Sequence, residues 1–129
     1  MNKIIINTAN APAPIGPYNQ AILSGGTLYI SGQICIDPAS GDLKNKSLEE
    51  ETHQVMKNLQ AILREAGMTF DDVVKTTIFL TDMHRFSDVN NVYAQYFNTV
   101  FPARETVQVS ALPKFVNVEI SMIAAKEPV

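Results

Sequence analysis

The sequence has a single cysteine, Cys35, which excludes a disulfide within the chain and suits a reducing compartment such as the cytosol. Its neighbours in the run ICI are isoleucines, so we interpret Cys35 as a small core residue rather than a nucleophile. The two histidines, His53 and His84, stand at no spacing typical of metal ligands. We therefore expect no metal site.

The chain also lacks a large excess of one charge sign and has no long hydrophobic run. The chain has 10 basic and 13 acidic residues, a net charge of −3, and no run of lysine or arginine. Nucleic-acid binders usually carry a basic surplus or stripe, so this balance argues against such a partner. No apolar stretch is long enough to span a membrane, and the one after Lys3 is too short for a secretory signal. We expect a cytoplasmic protein with no membrane partner.

Motifs for nucleotide binding and serine chemistry are absent as well. There is no Walker-type loop, no dinucleotide fingerprint and no GxSxG elbow, which argues against a nucleotide cofactor and a serine hydrolase. What is present is an ordinary globular composition, with 46% apolar and 18% charged residues. The length of 129 residues suits one domain, which we assign to residues 1–129.

Strand and helix signals alternate along the chain. Isoleucines after Lys3 indicate a short strand, and a hairpin that turns at Gly25 and Gly26 follows. Ser47 and Glu50 form a capping-box pattern that begins a helix, and Gly67 is placed to end it. The remaining predicted elements are a strand at Val73–Leu80, a helix at Arg85–Asn98, and strands at Thr106–Ala111 and Val116–Ala124.

This order, β-β-β-α-β-α-β-β, predicts an α+β fold in which two helices cover one face of a shared sheet. The other face must meet water or another chain. In the stretch FPARETVQV the side chains alternate, so Arg104, Thr106 and Gln108 share one face. Glu105 and Val107 share the other. We place the Arg104 face on the uncovered side of the sheet, whose mixed character suits a subunit interface.

Arg104 and Glu119 are the first candidates for chemistry. The planar fork of arginine matches a carboxylate with two parallel hydrogen bonds, and a glutamate can act as a general base. If their strands pair, the two groups line one pocket; the alternative is a structural salt bridge within the sheet. Asn90 lies on the apolar stripe of the second predicted helix, where its amide either faces a pocket or bonds to a loop.

Three further candidates precede the first helix. Tyr18 ends a proline-rich loop, Asn10–Tyr18, which cannot be helical and is either ordered or mobile. Tyr18 itself either walls a pocket or anchors the loop. Ser31 and Gly32 stand inside a predicted strand, where a glycine indicates a bulge, a close backbone approach or a ligand.

Seven segments occur in an order that resembles the RidA family, the reactive intermediate/imine deaminases. They are IGPYNQA, LYISGQI, the helix ending in EAG, VVKTTIFLTDM, VNNVYAQYF, FPARETVQV and LPKFVNVEI. The resemblance covers about residues 7–125. Its most specific part is Pro102-Ala103-Arg104, then Leu112, then Val118-Glu119-Ile120.

The resemblance implies a chorismate-mutase-like α+β fold and a homotrimer, with sheets forming an inner barrel and a cleft between each pair of subunits. It implies cofactor-independent hydrolysis of 2-imino acids or their enamine tautomers, such as 2-aminoacrylate and 2-iminobutanoate, to 2-keto acids and ammonia. By the same resemblance, Arg104 clamps the substrate carboxylate and Glu119 positions or activates the attacking water. The remaining implied site residues are the backbone carbonyl near Thr106, which helps to hold that water, and the cleft-lining Tyr18, Ser31, Gly32 and Asn90.

Two departures leave alternatives open. Many family members carry a small or apolar residue where this chain has Glu105, and a cysteine where it has Thr106. In a regular strand Glu105 points away from Arg104, whereas a bulge after Ala103 lets Glu105 compete with substrate. The alternatives to a deaminase are a non-catalytic trimer that senses 2-keto acids and an endoribonuclease or translation inhibitor.

Overall fold

A computed structural model describes residues 2–98 and 100–127, and its elements follow the predicted order. The elements are β1 (Ile4–Ile6), β2 (Ala21–Ser24), β3 (Thr27–Gln33), α1 (Leu48–Glu65), β4 (Val73–Leu80), α2 (Phe86–Tyr93), β5 (Ala103–Gln108) and β6 (Val118–Ala125). The strands form one sheet in the order β1-β2-β3-β6-β4-β5. Only β4 and β5 are parallel among these neighbours, so the sheet is mixed and the α+β class is confirmed.

The long helix α1 begins and ends where the sequence predicts. The Ser47 hydroxyl accepts a hydrogen bond from the backbone N–H of Glu50 at 3.0 Å. The Glu50 carboxylate accepts instead from the backbone N–H of Lys46, one residue before the cap. After the helix, Gly67 adopts φ +74°, which a residue with a side chain rarely adopts. Neither helix of the described chain is long and apolar enough to cross a membrane.

The two faces of the sheet differ in character. Val118, Ile120 and Met122 of β6 are buried in a core shared with the apolar stripe of α1. Each such side chain contributes about 1.5–3 kcal/mol when it leaves water. On the opposite face, which no element of the described chain covers, the register aligns Ile5, Ile22, Tyr29 and Ile123 across four strands. The prediction of one covered face is confirmed.

The bounds of three elements, α2, β5 and β6, differ from the prediction because local packing and pairing decide them. Helix α2 ends at Tyr93, and a 3-10 turn follows at Ala94–Tyr96. Phe97 is then extended, and its ring lies 4.8 Å from that of Tyr93 and 5.5 Å from that of Phe70. Strand β5 begins and ends three residues earlier than predicted, at Ala103 and Gln108, because it pairs along β4 from Lys75 to Leu80. Strand β6 begins two residues later, after a 3-10 turn.

Candidate functional site

Arg104 lies on the helix side of the sheet, not on the uncovered side. In the parallel register it stands beside Thr76, whose buried hydroxyl accepts a hydrogen bond from the Tyr93 hydroxyl at 3.0 Å. The guanidinium carbon of Arg104 lies 5.1 Å from the ring centre of Tyr93 and 5.4 Å from that of Phe86. The predicted face is therefore wrong. Alternation along β5 groups residues correctly but does not say which group faces the helices, because that depends on the register with β4.

The Arg104 guanidinium borders an open pocket of about 320 Å3. Its walls are Asn90, Tyr93, Ala94, Phe101, Pro102 and Arg104. Asn90 thus faces a pocket, and no hydrogen bond from its side chain is formed within the described residues. Among residues 2–98 and 100–127, no acidic side chain forms an ion pair with Arg104. The pocket therefore offers a free planar cation and an amide among apolar walls, which suits a small carboxylate.

Glu105 lies on the opposite face of the sheet from Arg104, so it does not compete with substrate for the guanidinium. Its carboxylate lies 2.9 Å from the Lys75 ammonium and accepts a hydrogen bond from the Thr77 hydroxyl, also at 2.9 Å. The hydrogen bond from Lys75, followed by that from Thr77, holds the pKa of Glu105 below its usual range. No bulge interrupts the pairing of β5, so Glu105 leaves Arg104 free.

Thr106 and Gln108 follow Arg104 on the helix side. The Gln108 side-chain oxygen accepts a hydrogen bond from the backbone N–H of Met83 at 2.8 Å, which ties β5 to the turn before α2. The Thr106 hydroxyl is buried and has no hydrogen-bond partner within the described part of the chain. An unpaired buried hydroxyl costs about 1–3 kcal/mol, so this atom is ready to accept a partner.

Glu119 lies on the uncovered face, in register with Phe79 of β4. It is half-buried, and this burial raises the pKa of its carboxyl above the ordinary value. Strand β4 separates β5 from β6, so Arg104 and Glu119 stand on different strands and on opposite faces. A salt bridge between them within one chain is excluded, and so is one pocket lined by both.

Ser31 and Gly32 form a β-bulge beside Glu119. Ile30 pairs with Met122 and Gln33 with Ile120, so two residues of β3 oppose one residue of β6. A Cβ atom on Gly32 would stand 2.8 Å from the carboxyl carbon of Glu119. The bulge and close approach that the sequence predicts are confirmed, and the neighbour that needs the space is the Glu119 side chain.

Gly32→Ala is expected to displace Glu119, because the added methyl group overlaps its carboxyl. If Glu119 has the role that the family resemblance implies, we expect the implied imine hydrolysis to fall about 10- to 100-fold, since displacing a reacting group by about 1 Å has that effect. Gly41 offers a matched control: it lies in an exposed turn with nothing near a Cβ, although its φ of +80° costs some stability. Gly41→Ala is expected to retain the wild-type rate; equal losses in both variants would contradict this role of Gly32.

The proline-rich loop is ordered by a residue that the sequence analysis did not single out, Gln20. Its buried side-chain amide donates hydrogen bonds to the carbonyls of Thr8, Ala11 and Pro12, at 3.0, 3.2 and 2.9 Å. Its oxygen accepts from the backbone N–H of Thr8 at 2.7 Å. A polar residue directly after a loop rich in prolines, whose carbonyls lack ladder partners, is the signal that points to such a role.

This ordered loop brings Tyr18 beside the Ser31–Gly32 bulge. The Ser31 hydroxyl donates to the carbonyl of Asn19 at 2.7 Å, and the Tyr18 hydroxyl accepts from the backbone N–H of Ile15 at 3.3 Å. Tyr18 and Gly32 line the same small cavity, of about 20 Å3. With 44% of Tyr18 exposed, its ring is available to a ligand as well as to its loop.

The candidate residues therefore fall into two groups. The carboxylate pocket comprises Asn90, Tyr93, Ala94, Phe101, Pro102 and Arg104, and Thr106 follows Arg104 on the same face of β5. We use the name acid cleft for Glu119, the Ser31–Gly32 bulge against it, and Tyr18, which lines a cavity with Gly32. The carboxylate pocket lies on the helix side of β5, and the acid cleft lies at the uncovered face of β6. One chain does not bring the two groups together.

Cys35 belongs to neither group. It is fully buried, and burial, followed by the nearby charge of Glu51, raises the pKa of its thiol to about 11. The thiol is therefore protonated at neutral pH and is a poor nucleophile, as the sequence predicts.

Cys35 is expected to resist thiol reagents in the folded protein and to react fully after denaturation. Cys35→Ala is expected to retain imine hydrolysis within about twofold, because the side chain contacts neither group. Titration with a chromogenic disulfide before and after adding denaturant tests the first statement. Rapid labelling of the native protein together with loss of activity would contradict both.

Comparison with known proteins gives consistent matches over nearly the whole chain. The family model described as Endoribonuclease L-PSP matches residues 8–126. The 2-iminobutanoate/2-iminopropanoate deaminase of Homo sapiens is 50% identical over 124 residues, covering 96% of this chain and 90% of that protein. The Rid family protein YyfA of Yersinia pestis is 54% identical, with a TM-score of 0.94 over 97% of this chain and all of that one. TdcF of E. coli, solved with bound serine, is 37% identical, with a TM-score of 0.92 over 96% and 99%.

Proposed function

Because this chain belongs to the RidA family, which the Endoribonuclease L-PSP model describes, we propose that it is a 2-iminobutanoate/2-iminopropanoate deaminase. It hydrolyses reactive 2-imino acids, and enamines such as 2-aminoacrylate after they tautomerise, to 2-keto acids and ammonia. The proposal needs no cofactor, because an iminium carbon is already electrophilic. Orientation of the substrate and of one water molecule supplies much of the acceleration.

The observation that carries this proposal is the free guanidinium of Arg104 in a pocket with mostly apolar walls. The rings of Tyr93 and Phe86 hold the fork, and the acid next to it in sequence, Glu105, is engaged elsewhere. Such a pocket binds the carboxylate that every 2-imino acid carries. The 50% identity to a named deaminase supports this choice among small carboxylates.

The reaction proceeds through addition of water to the C=N bond. Arg104 holds the carboxylate while the oxygen of water bonds to the imine carbon and Glu119 takes a proton from that water. Glu119 then returns that proton to the nitrogen of the water adduct and takes the proton of the new hydroxyl group. The C–N bond breaks, its electron pair leaves with ammonia, and the C–O bond becomes the C=O bond of the keto acid. Burial raises the pKa of Glu119, which brings this proton exchange closer to neutral pH.

We infer that two copies of the chain build each site. The carboxylate pocket and the acid cleft lie on opposite sides of one sheet, so Arg104 of one copy meets Glu119 of the next. The uncovered face, with Ile5 and Tyr29 more than half exposed, is the surface that a second copy would cover. A closed trimer, with sheets inside and helices outside, satisfies both conditions.

The other candidate residues have roles that follow from their groups. Asn90 borders the carboxylate and orients it, and the Thr106 backbone carbonyl helps to hold the attacking water. Ser31 and Gly32 shape the cleft around Glu119, and Tyr18 closes it. The cytosolic location expected from the sequence fits this assignment, because imino acids arise there from pyridoxal-phosphate enzymes that dehydrate serine or threonine.

A regulatory trimer that binds 2-keto acids without turnover is the second candidate. It is favoured by one observation, the serine bound in the structure of TdcF, which shares the fold. Such a protein needs Arg104 but not Glu119. An RNA-cleaving function has only the family description behind it, while the net charge of −3 argues against it.

The first test generates 2-aminoacrylate in situ with a serine dehydratase and follows the release of pyruvate. Addition of this protein is expected to speed the release above the spontaneous rate. If release is unchanged while a 2-keto acid still binds, the protein is a regulator and the deaminase proposal is wrong.

A further inference from the structure

Glu51 is a fully buried carboxylate that the proposed reaction does not use. It lies in the first turns of α1, with none of its surface exposed. Its oxygens accept hydrogen bonds from the backbone N–H of Asn117 at 2.7 Å, the Asn117 side-chain amide at 2.8 Å and the backbone N–H of Val118 at 2.9 Å. A buried carboxylate is tolerated only where donors of this kind replace its water.

These three bonds fix the chain immediately before Glu119. The carbonyl of Asn117 accepts a further bond from the backbone N–H of Thr81 at 3.1 Å, so α1 and the segment after β4 hold Asn117 together. Val118 is buried and in register with Leu80. The direction of the next side chain, Glu119, is therefore set by a backbone that Glu51 holds.

The Glu119 side chain has few other contacts that fix its position. Within residues 2–98 and 100–127 no hydrogen bond reaches its carboxyl group, which lies where a Cβ atom on Gly32 would need space. Its position thus depends on the start of β6 on one side and on the Ser31–Gly32 bulge on the other. The bulge restricts the space, and the β6 backbone supplies the direction.

We propose that Glu51 is a positioning residue for Glu119. The buried carboxylate of Glu51 fixes the backbone of Asn117 and Val118, and this backbone holds Glu119 in the acid cleft. This inference rests on the proposed function, because Glu51 acts on the reaction through Glu119. A neutral amide is a poor replacement for Glu51, because its NH2 group would face the N–H donors of Asn117 and Val118, where only an acceptor fits.

Glu51→Gln in the full chain tests the proposal in the 2-aminoacrylate assay, with kcat, KM and the pH profile measured below the unfolding temperature. We expect kcat to fall about 10- to 100-fold, with KM within about twofold, because Arg104 lies on a different strand and on the opposite side of the sheet from Glu119. The acid limb of the profile is expected to move to lower pH, because a loosened Glu119 gains water. Val55→Ala, equally buried on α1 but apolar, is the matched control and is expected to change stability alone.

The proposal is overturned if Glu51→Gln retains the wild-type kcat and acid limb while losing stability as Val55→Ala does. If Glu51→Gln does not fold, Glu51→Asp decides, because it keeps the charge but shortens the side chain by one methylene group, so its carboxylate no longer reaches both backbone N–H groups. A fall of kcat by about three- to tenfold supports the proposal, and an unchanged kcat overturns it. An inactive wild type is a different result, which contradicts the deaminase function and not this placement.

Discussion

Arg104→Ala is expected to lower kcat/KM for imine hydrolysis by about 30-fold to several thousand-fold, because removing one partner of a desolvated charge pair costs about 2–5 kcal/mol. Binding of 2-keto acids is expected to weaken by a similar factor, since their carboxylate loses the same guanidinium partner. Arg104→Lys retains the charge but not the fork, so an intermediate loss is expected. Steady-state rates and calorimetric titration with a 2-keto acid measure these effects.

A matched control for Arg104 is Arg85, an exposed arginine whose guanidinium pairs with Asp88 on the surface of α2. Arg85→Ala is expected to retain both activity and binding. Arg104→Ala is also expected to lose its two ring contacts, worth about 0.5–1 kcal/mol each, so folding is checked by thermal unfolding. A folded Arg104→Ala variant that still binds 2-keto acids normally would contradict the carboxylate clamp.

Glu119→Gln is expected to lower kcat about 10²- to 10⁴-fold, the usual contribution of a general base. Binding of 2-keto acids is expected to change little, which separates an enzyme from a regulator that needs only Arg104. The variant is expected to fold at least as stably as the wild type, because an amide avoids the desolvation cost of a half-buried carboxylate. Glu65→Gln, an exposed change at the end of α1, serves as the control for altered charge.

The pH profile follows from the same residue. Burial raises the pKa of Glu119, so its inactive protonated form persists to higher pH than in an ordinary glutamate. The rate is therefore expected to fall as the pH drops through that raised pKa and to be level above it. After subtraction of the spontaneous rate, a profile that stays level into the range of ordinary carboxyl groups would contradict the role of Glu119 as base.

The sequence predicts well what local patterns decide. Helix α1 has a Ser47 cap, an apolar stripe and a terminal glycine, and its bounds follow from them. Strand β4 is correct at both ends, Val73 and Leu80, because β-branched residues fill it between polar turns. The bulge at Gly32 is predicted by the presence of a glycine inside a strand. The seven ordered segments identify the family correctly, and the model of residues 8–126 agrees.

What the sequence does not predict depends on contacts between distant segments. The face of Arg104 is set by the parallel register with Thr76, which no pattern within β5 contains. Glu51 looks like one more acidic residue in a helical first turn, and only the approach of Asn117 and Val118 reveals its burial. The separation of Arg104 from Glu119 follows from the position of β4 between their strands. Predicting this separation requires the order of all six strands in the sheet.

The most direct test of the account is whether two inactive variants restore each other. Arg104→Ala and Glu119→Gln are refolded together in equal amounts, and native mass spectrometry verifies that mixed oligomers form. If each site takes Arg104 from one copy and Glu119 from the next, random assembly leaves about a quarter of the clefts with both groups intact. We predict recovery of about a quarter of the wild-type deaminase rate from the mixture. Mixed oligomers that remain as inactive as the separate variants would contradict a site built by two copies.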